Sequence, residues 1–143
     1  MVEAVKVEHI YKSFPGVLAN NDVSISIQQG EVRAIIGENG AGKTTLMNIL
    51  YGLYQPDAGK ILVKGKEVRI PNARAAIALG IGMVHQHFKL VPSFTLAQNV
   101  VLGVEPHKLF LIDEKYVNRS VREISEQYGL PLDVDKLAIN ASV

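Results

Sequence analysis

Residues 37–45 read Gly-Glu-Asn-Gly-Ala-Gly-Lys-Thr-Thr and contain the spacing Gly-x4-Gly-Lys-Thr. The glycines at 37, 40 and 42 let the backbone curl so that several N–H groups point inward, with no Cβ to keep a phosphate at a distance. Lys43 would bring an ammonium to the β- and γ-phosphates of a nucleotide, and the Thr44 hydroxyl is a hard oxygen ligand for Mg²⁺. The sequence therefore predicts a nucleotide phosphate site, and we call residues 37–45 the phosphate loop.

The residues on either side of the phosphate loop predict the elements that hold it in place. The run at 32–36 is apolar at nearly every residue, which predicts a strand covered on both faces in a parallel sheet. After the loop, apolar residues recur at helical spacing, at Leu46, Ile49, Leu50 and Leu53. A helix should therefore begin near Lys43 and end near Gly52, with its positive dipole end at the loop. A strand, a glycine-rich turn and a helix together distinguish a phosphate loop from a chance match.

Alternating apolar and polar residues predict antiparallel strands in the first part of the chain. One strand is indicated by Val5, Val7, His9 and Tyr11, which alternate with Lys6, Glu8, Ile10 and Lys12. A second strand is indicated by Val23, Ile25 and Ile27, and a hairpin by apolar residues around Lys64-Gly65-Lys66. Asn72 should cap a short helix over residues 73–79, and a second buried strand at 81–84 should lead to His85-Gln86-His87.

The last third of the chain has the pattern of helices. Thr95 and Gln98 match a capping box, and Asp113 should cap a longer helix that stops at Gly129. The apolar stripe of that helix is formed by Val117, Val121, Ile124 and Tyr128.

Composition narrows the class of protein. The chain of 143 residues is 48% hydrophobic and 20% charged, which suits a globular protein and argues against disorder. A net charge of +1 leaves no broad electrostatic footprint for nucleic acid, and the lack of cysteine excludes disulfides and thiolate metal sites. We see no export signal and no apolar run approaching roughly 18 residues, so we expect a soluble protein that could dock on a membrane protein.

Four stretches occur in the order and spacing of an ABC-type ATPase cassette: Tyr11-Lys12-Ser13-Phe14, Gln29-Gly30-Glu31, the phosphate loop and Val84-His85-Gln86. The chain resembles the N-terminal part of such a cassette over essentially its whole length, and looks most like ATPase subunits of bacterial importers for simple sugars or nucleosides. The resemblance implies an α/β fold. Residues 1–90 would form part of a P-loop NTPase core with an antiparallel β subdomain, and residues 91–143 the start of a helical subdomain.

The resemblance also implies roles for single residues. Tyr11 matches the aromatic residue that stacks on adenine, which a flat π-face can do, although an ordinary half-buried strand tyrosine is the alternative. Asn39 lies where an amide reaches the γ-phosphate, and Thr45 where a second hydroxyl reaches the α-phosphate. The implied ligands are ATP and Mg²⁺, with the nucleotide bound by Tyr11, Gly37, Asn39, Gly40, Ala41, Gly42, Lys43, Thr44 and Thr45.

Gln86 matches the glutamine that senses Mg²⁺ and the attacking water. The resemblance therefore implies that Thr44 and Gln86 bind the metal and that Lys43 and Gln86 are the catalytic residues. Without the resemblance, Gln86 would be read as a surface amide. His85 and His87 could mimic a metal-binding pair, but no third ligand is in view. Apolar residues after Gln86 correspond to the part that touches a membrane-spanning partner, and packing within the helical subdomain explains each equally well: Phe88, Leu90, Phe94 and Leu96.

Three parts of the family pattern are absent from this sequence: an apolar strand ending in Asp-Glu, a Leu-Ser-Gly-Gly-Gln-like signature and a later histidine. Residues 141–143 could be the opening of a variant signature. The run at 110–114 ends in Asp-Glu, but it precedes any signature, and Asp113 serves better as a helix cap. We therefore expect a piece of a longer polypeptide that binds ATP weakly and does not hydrolyse it alone. We also expect an exposed apolar sheet edge at 32–36 that tends to pair with another chain.

The resemblance implies ATP hydrolysis that powers import of a small polar solute, at the cytoplasmic face of the cell membrane. The implied partners are a second ABC cassette and membrane permease subunits, and no nucleic acid. A non-transport cassette ATPase acting on ribosomes or DNA is disfavoured by the near-zero net charge. A nucleotide-binding regulatory module without turnover stays open, because a water-activating glutamate is absent.

Overall fold

The computed structural model describes residues 2–85, 90–103, 107–108 and 111–141, and for 107–108 and 111–112 only the backbone. The chain divides into two compact units, Met1–Val84 and His85–Val143. The domain boundary predicted after residue 90 stays a prediction.

The first unit is built on a four-stranded antiparallel sheet in the order β2-β1-β3-β4. Its strands are β1 (Glu3–Phe14), β2 (Val17–Gln28), β3 (Ala58–Val63) and β4 (Lys66–Val68), and its helices are α1 (Lys43–Leu50) and α2 (Ala73–Ala78). Asn72 caps α2 by accepting a hydrogen bond from Ala75 N at 3.0 Å. The predicted hairpin, both predicted helices and the antiparallel strands are confirmed.

The core of the first unit lies between the sheet and the two helices. Burying a large aliphatic side chain stabilises the fold by about 1.5–3 kcal/mol, so this layer fixes α1 against the sheet. The buried residues are Val7, Ile10, Leu46, Ile49, Ile61, Ile70 and Ala76.

An irregularity in β1 changes which side chains face the core. The strand pairing shifts register between Val7 and Ile10, where His9 has a φ of 52°, and Ile10 is fully buried. The predicted alternation is therefore wrong after His9, because a bulge moves the following residues to the opposite faces. Tyr11 consequently lies on the outer side and is 36% exposed. Gly59 of β3 accommodates the bulge, since a Cβ there would lie 2.4 Å from the His9 carbonyl oxygen.

The two predicted buried strands do not form in the described part of the chain. Residues 32–36 and 81–84 have no strand conformation, and Val32 is 99%, Ile36 93% and Val84 83% exposed. A buried parallel strand needs hydrogen-bonded neighbours, and no described strand pairs with either segment. Exposed apolar residues are present at 32–36 as predicted, but they belong to an irregular segment and not to a sheet edge. The predicted pairing of this segment with another chain stays a prediction.

The second unit contains α3 (Leu96–Val101), β5 (His107–Lys108), β6 (Leu111–Ile112), α4 (Glu114–Gln127) and a 3₁₀ turn (Ala138–Asn140). Its core is Ala97, Val117, Val121 and Val134. The capping box is confirmed, since Thr95 Oγ1 accepts from Gln98 N at 3.1 Å and Gln98 Oε1 accepts from Thr95 N at 2.9 Å.

The longer helix α4 differs in part from its prediction. Asp113 caps it through Tyr116 N at 3.1 Å, and two residues of the predicted stripe, Val117 and Val121, are buried. The other two, Ile124 and Tyr128, are 53% and 69% exposed. Among the described residues, no helix is long and apolar enough to cross a membrane.

Candidate functional site

The phosphate loop runs directly into the N-terminus of α1. Gly42 is the N-cap, and its carbonyl accepts the bond from Leu46 N at 2.9 Å. The N–H groups of Lys43, Thr44 and Thr45 precede that bond and have no intrahelical partner, as in every helix start. These N–H groups and the helix dipole together favour an anion at the mouth of the loop.

Lys43 folds back over the start of the loop. Its Nζ donates to the carbonyl oxygens of Gly37 at 2.6 Å and Glu38 at 2.7 Å. The turn between them is closed by Ala41 N, which donates to the Glu38 carbonyl at 3.2 Å. The ammonium is thus held within the phosphate loop, and two of its three N–H donors bind carbonyl oxygens.

Strand β2 supports the loop from below at Gly42, which has a φ of 80°. A Cβ on Gly42 would lie 2.0 Å from the Ala19 carbonyl oxygen. The adjacent Asn20 is 4% exposed, and its Nδ2 donates to the Gly42 carbonyl at 3.2 Å. Its Oδ1 is buried and has no hydrogen-bond partner among the described residues. The sequence analysis did not identify Asn20. The only signal for it in the sequence was a polar residue shortly before the alternating pattern of the second strand.

The donor set fits a triphosphate with its metal. Thr44 and Asn39 are exposed, so that a hydroxyl and an amide of the phosphate loop are accessible to a ligand. A hydroxyl oxygen together with phosphate oxygens is the donor chemistry that Mg²⁺ prefers. Gln86, His87 and Phe88 lie outside the described residues, so their predicted roles stay predictions. Within the described ranges, no group of three or more His, Asp or Glu side chains could hold a metal ion.

Tyr11 lies at the end of β1 that adjoins the loop. It pairs with Ala58 of β3, and its carbonyl accepts from Asp57 N at 2.8 Å. The next residue, Lys12, pairs with Asn20 of β2, the residue that contacts Gly42. The register therefore brings the Tyr11 end of β1 and the phosphate loop to the same end of the sheet.

A cluster of side chains around Asp57 fastens this end of β1. The Asp57 carboxylate accepts from Lys12 Nζ at 2.8 Å, Ser13 N at 2.7 Å and Ser13 Oγ at 2.9 Å. Lys12 Nζ also lies 5.5 Å from the ring centroid of Phe14, whose edge meets Tyr54 at a centroid distance of 5.3 Å. We call these five residues the Asp57 anchor. The Lys12 ammonium, followed by the Ser13 donors, lowers the pKa of Asp57 to about 2.

The lowered pKa of Asp57 predicts a pH dependence. Its carboxylate stabilises the fold fully above its ordinary pKa of 3.8, and this contribution is lost as the pH falls towards about 2. We expect the difference in unfolding free energy between wild type and Asp57→Asn to be constant above about pH 5 and to shrink below about pH 4. Urea denaturation down to the lowest pH at which the wild type stays folded checks this, and a difference that grows on acidification contradicts it.

A glycine-rich loop at the start of a helix, with a lysine folded over it and an antiparallel sheet beside it, defines a protein with part of a P-loop NTPase core. The family profile described as ABC transporter matches residues 20–142, and the chain belongs to this family. The predicted resemblance and the predicted fold class are confirmed.

Curated relatives and solved structures agree with this family. The chain is 48% identical over its whole length to the guanosine import ATP-binding protein NupO of Bacillus subtilis, of which it covers 28%. It is 45% identical over 90% of its length to the ribose import ATP-binding protein RbsA 1 of Streptomyces avermitilis, of which it covers 24%. The ADP conformation of MJ1267, an ATP-binding cassette of an ABC transporter, is similar over 99% of the chain and 60% of that structure, with a TM-score of 0.78 and 27% identity.

Proposed function

We propose that this chain is the nucleotide-binding part of an ATPase subunit that powers ABC-type import of a small polar solute, a nucleoside or a simple sugar. The observation that carries the proposal is the phosphate loop, where Lys43 Nζ and the N-terminus of α1 meet. Relatives whose names specify guanosine and ribose import support the solute class. The chain spans about a quarter of the length of these relatives, so the rest of the activity would belong to a longer protein.

Each residue of the loop has a role in this proposal. Backbone N–H groups of residues 40–45 would cradle the phosphates, and Lys43 would leave its carbonyl partners for the γ-phosphate. Thr44 and Gln86 would hold Mg²⁺, which neutralises phosphate charge when bound. Asn39 would donate to the γ-phosphate and Thr45 to the α-phosphate.

The proposed partners follow from the same family. A second cassette would complete the nucleotide site, and closure of the pair would move membrane permease subunits at the cytoplasmic face of the membrane. The carboxylate that activates water and the signature would come from the remainder of the cassette.

Competition between ATP and inorganic tripolyphosphate tests the phosphate site. We expect tripolyphosphate with Mg²⁺ to displace ATP from the full-length protein in calorimetry, because the loop binds phosphate groups rather than the base. ATP binding that tripolyphosphate leaves unchanged contradicts the proposal.

Uptake of labelled nucleosides and sugars by cells that lack the protein tests its role in import. We expect uptake of one of these solutes to be lost, and unchanged uptake across a panel of both classes contradicts that role.

Tyr11→Ala tests the base site. We expect ATP binding to weaken by about 1–3 kcal/mol, or roughly 5- to 150-fold, because one aromatic stacking contact is lost. Tripolyphosphate has no base, so its affinity should stay unchanged. Tyr116→Ala, which removes an exposed tyrosine of α4, is the matched control and should leave both affinities unchanged. An equal loss for ATP and tripolyphosphate would exclude stacking as the role of Tyr11.

A further inference from the structure

We propose that Asp57 is a positioning residue for the nucleotide base, acting through Tyr11. The Asp57 anchor holds the end of β1 so that the Tyr11 ring is presented outward for stacking. This inference rests on the proposed function, because it requires Tyr11 to contact the base.

Asp57 holds the main chain on both sides of Lys12, the residue that follows Tyr11. Its N–H donates to the Tyr11 carbonyl at 2.8 Å, and its Oδ2 accepts from Ser13 N at 2.7 Å. Asp57 thus binds β1 at Tyr11 and again at Ser13. It lies 44 residues after Ser13 in the sequence. These two bonds fix the backbone that directly follows Tyr11 Cα, and through it they would constrain the direction in which this Cα carries the ring.

This end of β1 needs such support because its strand pairing is irregular on both edges. Toward β2, the register shifts between Ile10 and Lys12 and again between Lys12 and Ser13. Toward β3, it shifts between Glu8 and Tyr11. A broken ladder leaves the local backbone conformation under-determined, so hydrogen bonds from side chains decide it. Tyr11 is 36% exposed, so neighbouring residues do not fully enclose it.

A carboxylate is the group that this position requires. Lys12 Nζ, Ser13 N and Ser13 Oγ are all donors, and Asp57 meets them with two acceptor oxygens. An asparagine has the same shape but only one acceptor oxygen, and its NH₂ would face a donor. The Lys12 side chain is only 16% exposed, so water cannot readily replace the carboxylate as the hydrogen-bond partner of its ammonium.

A merely structural ion pair makes a different prediction from a positioning residue. A structural role would lower the stability of the sheet and affect every ligand of the unit alike. A positioning role weakens binding of ligands that carry a base and spares those that consist of phosphates alone. The two roles are therefore separated by comparing ATP with inorganic tripolyphosphate.

The experiment uses Asp57→Asn, Tyr11→Ala and the double variant in the full-length protein, with calorimetric titration of Mg²⁺-ATP and Mg²⁺-tripolyphosphate below the melting temperature of each variant. We expect Asp57→Asn to weaken ATP binding about three- to tenfold and to change tripolyphosphate binding by less than about twofold. In the Tyr11→Ala background, Asp57→Asn should have no further effect on ATP binding, because the two residues act through one contact.

Glu67→Gln is the matched control, since it removes an exposed ion pair of the same sheet, Lys60 Nζ to Glu67 Oε2 at 3.3 Å. It should leave both affinities unchanged. Should Asp57→Asn not fold, Asp57→Glu carries the same test, because it keeps the negative charge near Lys12 but moves the carboxylate by one methylene relative to Ser13 N.

The outcomes separate the inference from the function on which it rests. An equal loss for ATP and tripolyphosphate, or additive losses in the double variant, overturns the positioning role. Weakened ATP binding in Tyr11→Ala with wild-type binding in Asp57→Asn overturns only the inference about Asp57. Unchanged ATP binding in Tyr11→Ala overturns the base site and the inference together.

Discussion

Replacing Gly42 with alanine is expected to abolish ATP binding and to lower the free energy of unfolding by about 2–5 kcal/mol. The left-handed conformation at φ 80° costs a residue with a Cβ about 1–2 kcal/mol, and overpacking adds about 1–3 kcal/mol. The overpacking arises because the new Cβ would lie 2.0 Å from the Ala19 carbonyl oxygen. That oxygen belongs to the backbone of β2, so relief requires the loop itself to move and to lose its donor geometry.

Gly30→Ala is the control for the conformational part of this effect. Gly30 has a φ of 78°, and a Cβ there meets nothing within 4 Å, so only the cost of about 1–2 kcal/mol should appear. ATP binding should stay as in the wild type. Chemical denaturation and calorimetric titration measure both quantities, and wild-type ATP affinity in Gly42→Ala would show that the close approach to β2 does not shape the loop.

Lys43→Met is expected to weaken ATP binding by about 2–5 kcal/mol with little change in stability. The affinity falls because a charge-assisted contact to the phosphates is lost, and this is the usual range for removing one partner of a charged pair. The stability changes little because the partners of Lys43 Nζ are carbonyls of Gly37 and Glu38, both in exposed residues that water can solvate.

Lys60→Met is the matched control for the loss of one positive charge. Lys60 is an exposed residue of β3 and its ammonium pairs with Glu67, so its removal should leave ATP affinity unchanged. Equal affinities of Lys43→Met and wild type, in a titration at constant ionic strength, would remove Lys43 from the site. Equal losses in both variants would indicate a general effect of charge.

Features set by neighbours in sequence could be predicted. The capping box of Thr95 and Gln98, the Asn72 cap and the Lys64-Gly65 turn each depend on groups within four residues, and all three form. The start of α1 at Lys43 follows for the same reason, because the loop glycines end where helical spacing begins. Local rules therefore located the candidate phosphate site.

Features set by distant residues could not be predicted. Asp57 lies in a segment that reads as a turn, and nothing in that pattern indicates a partner 44 residues earlier. Asn20 and Gly42 are 22 residues apart, and their contact depends on how β2 passes beneath the loop. The strand predicted at 32–36 failed because burial depends on neighbouring strands, which an apolar run cannot supply for itself.

The bulge at His9 determines which residues of β1 face the core beyond that point. Pairing the same residues without the bulge would turn Tyr11 inward and push Ile10 into solvent, whereas deleting one residue between Val7 and Ile10 would remove the bulge and leave Ile10 facing the core. Gly59 on the neighbouring strand β3 makes the bulge possible, because its missing Cβ leaves room for the Glu8 and His9 carbonyls. A residue with a Cβ at position 59 is therefore expected to become tolerable only together with a shortened β1 that lacks the bulge.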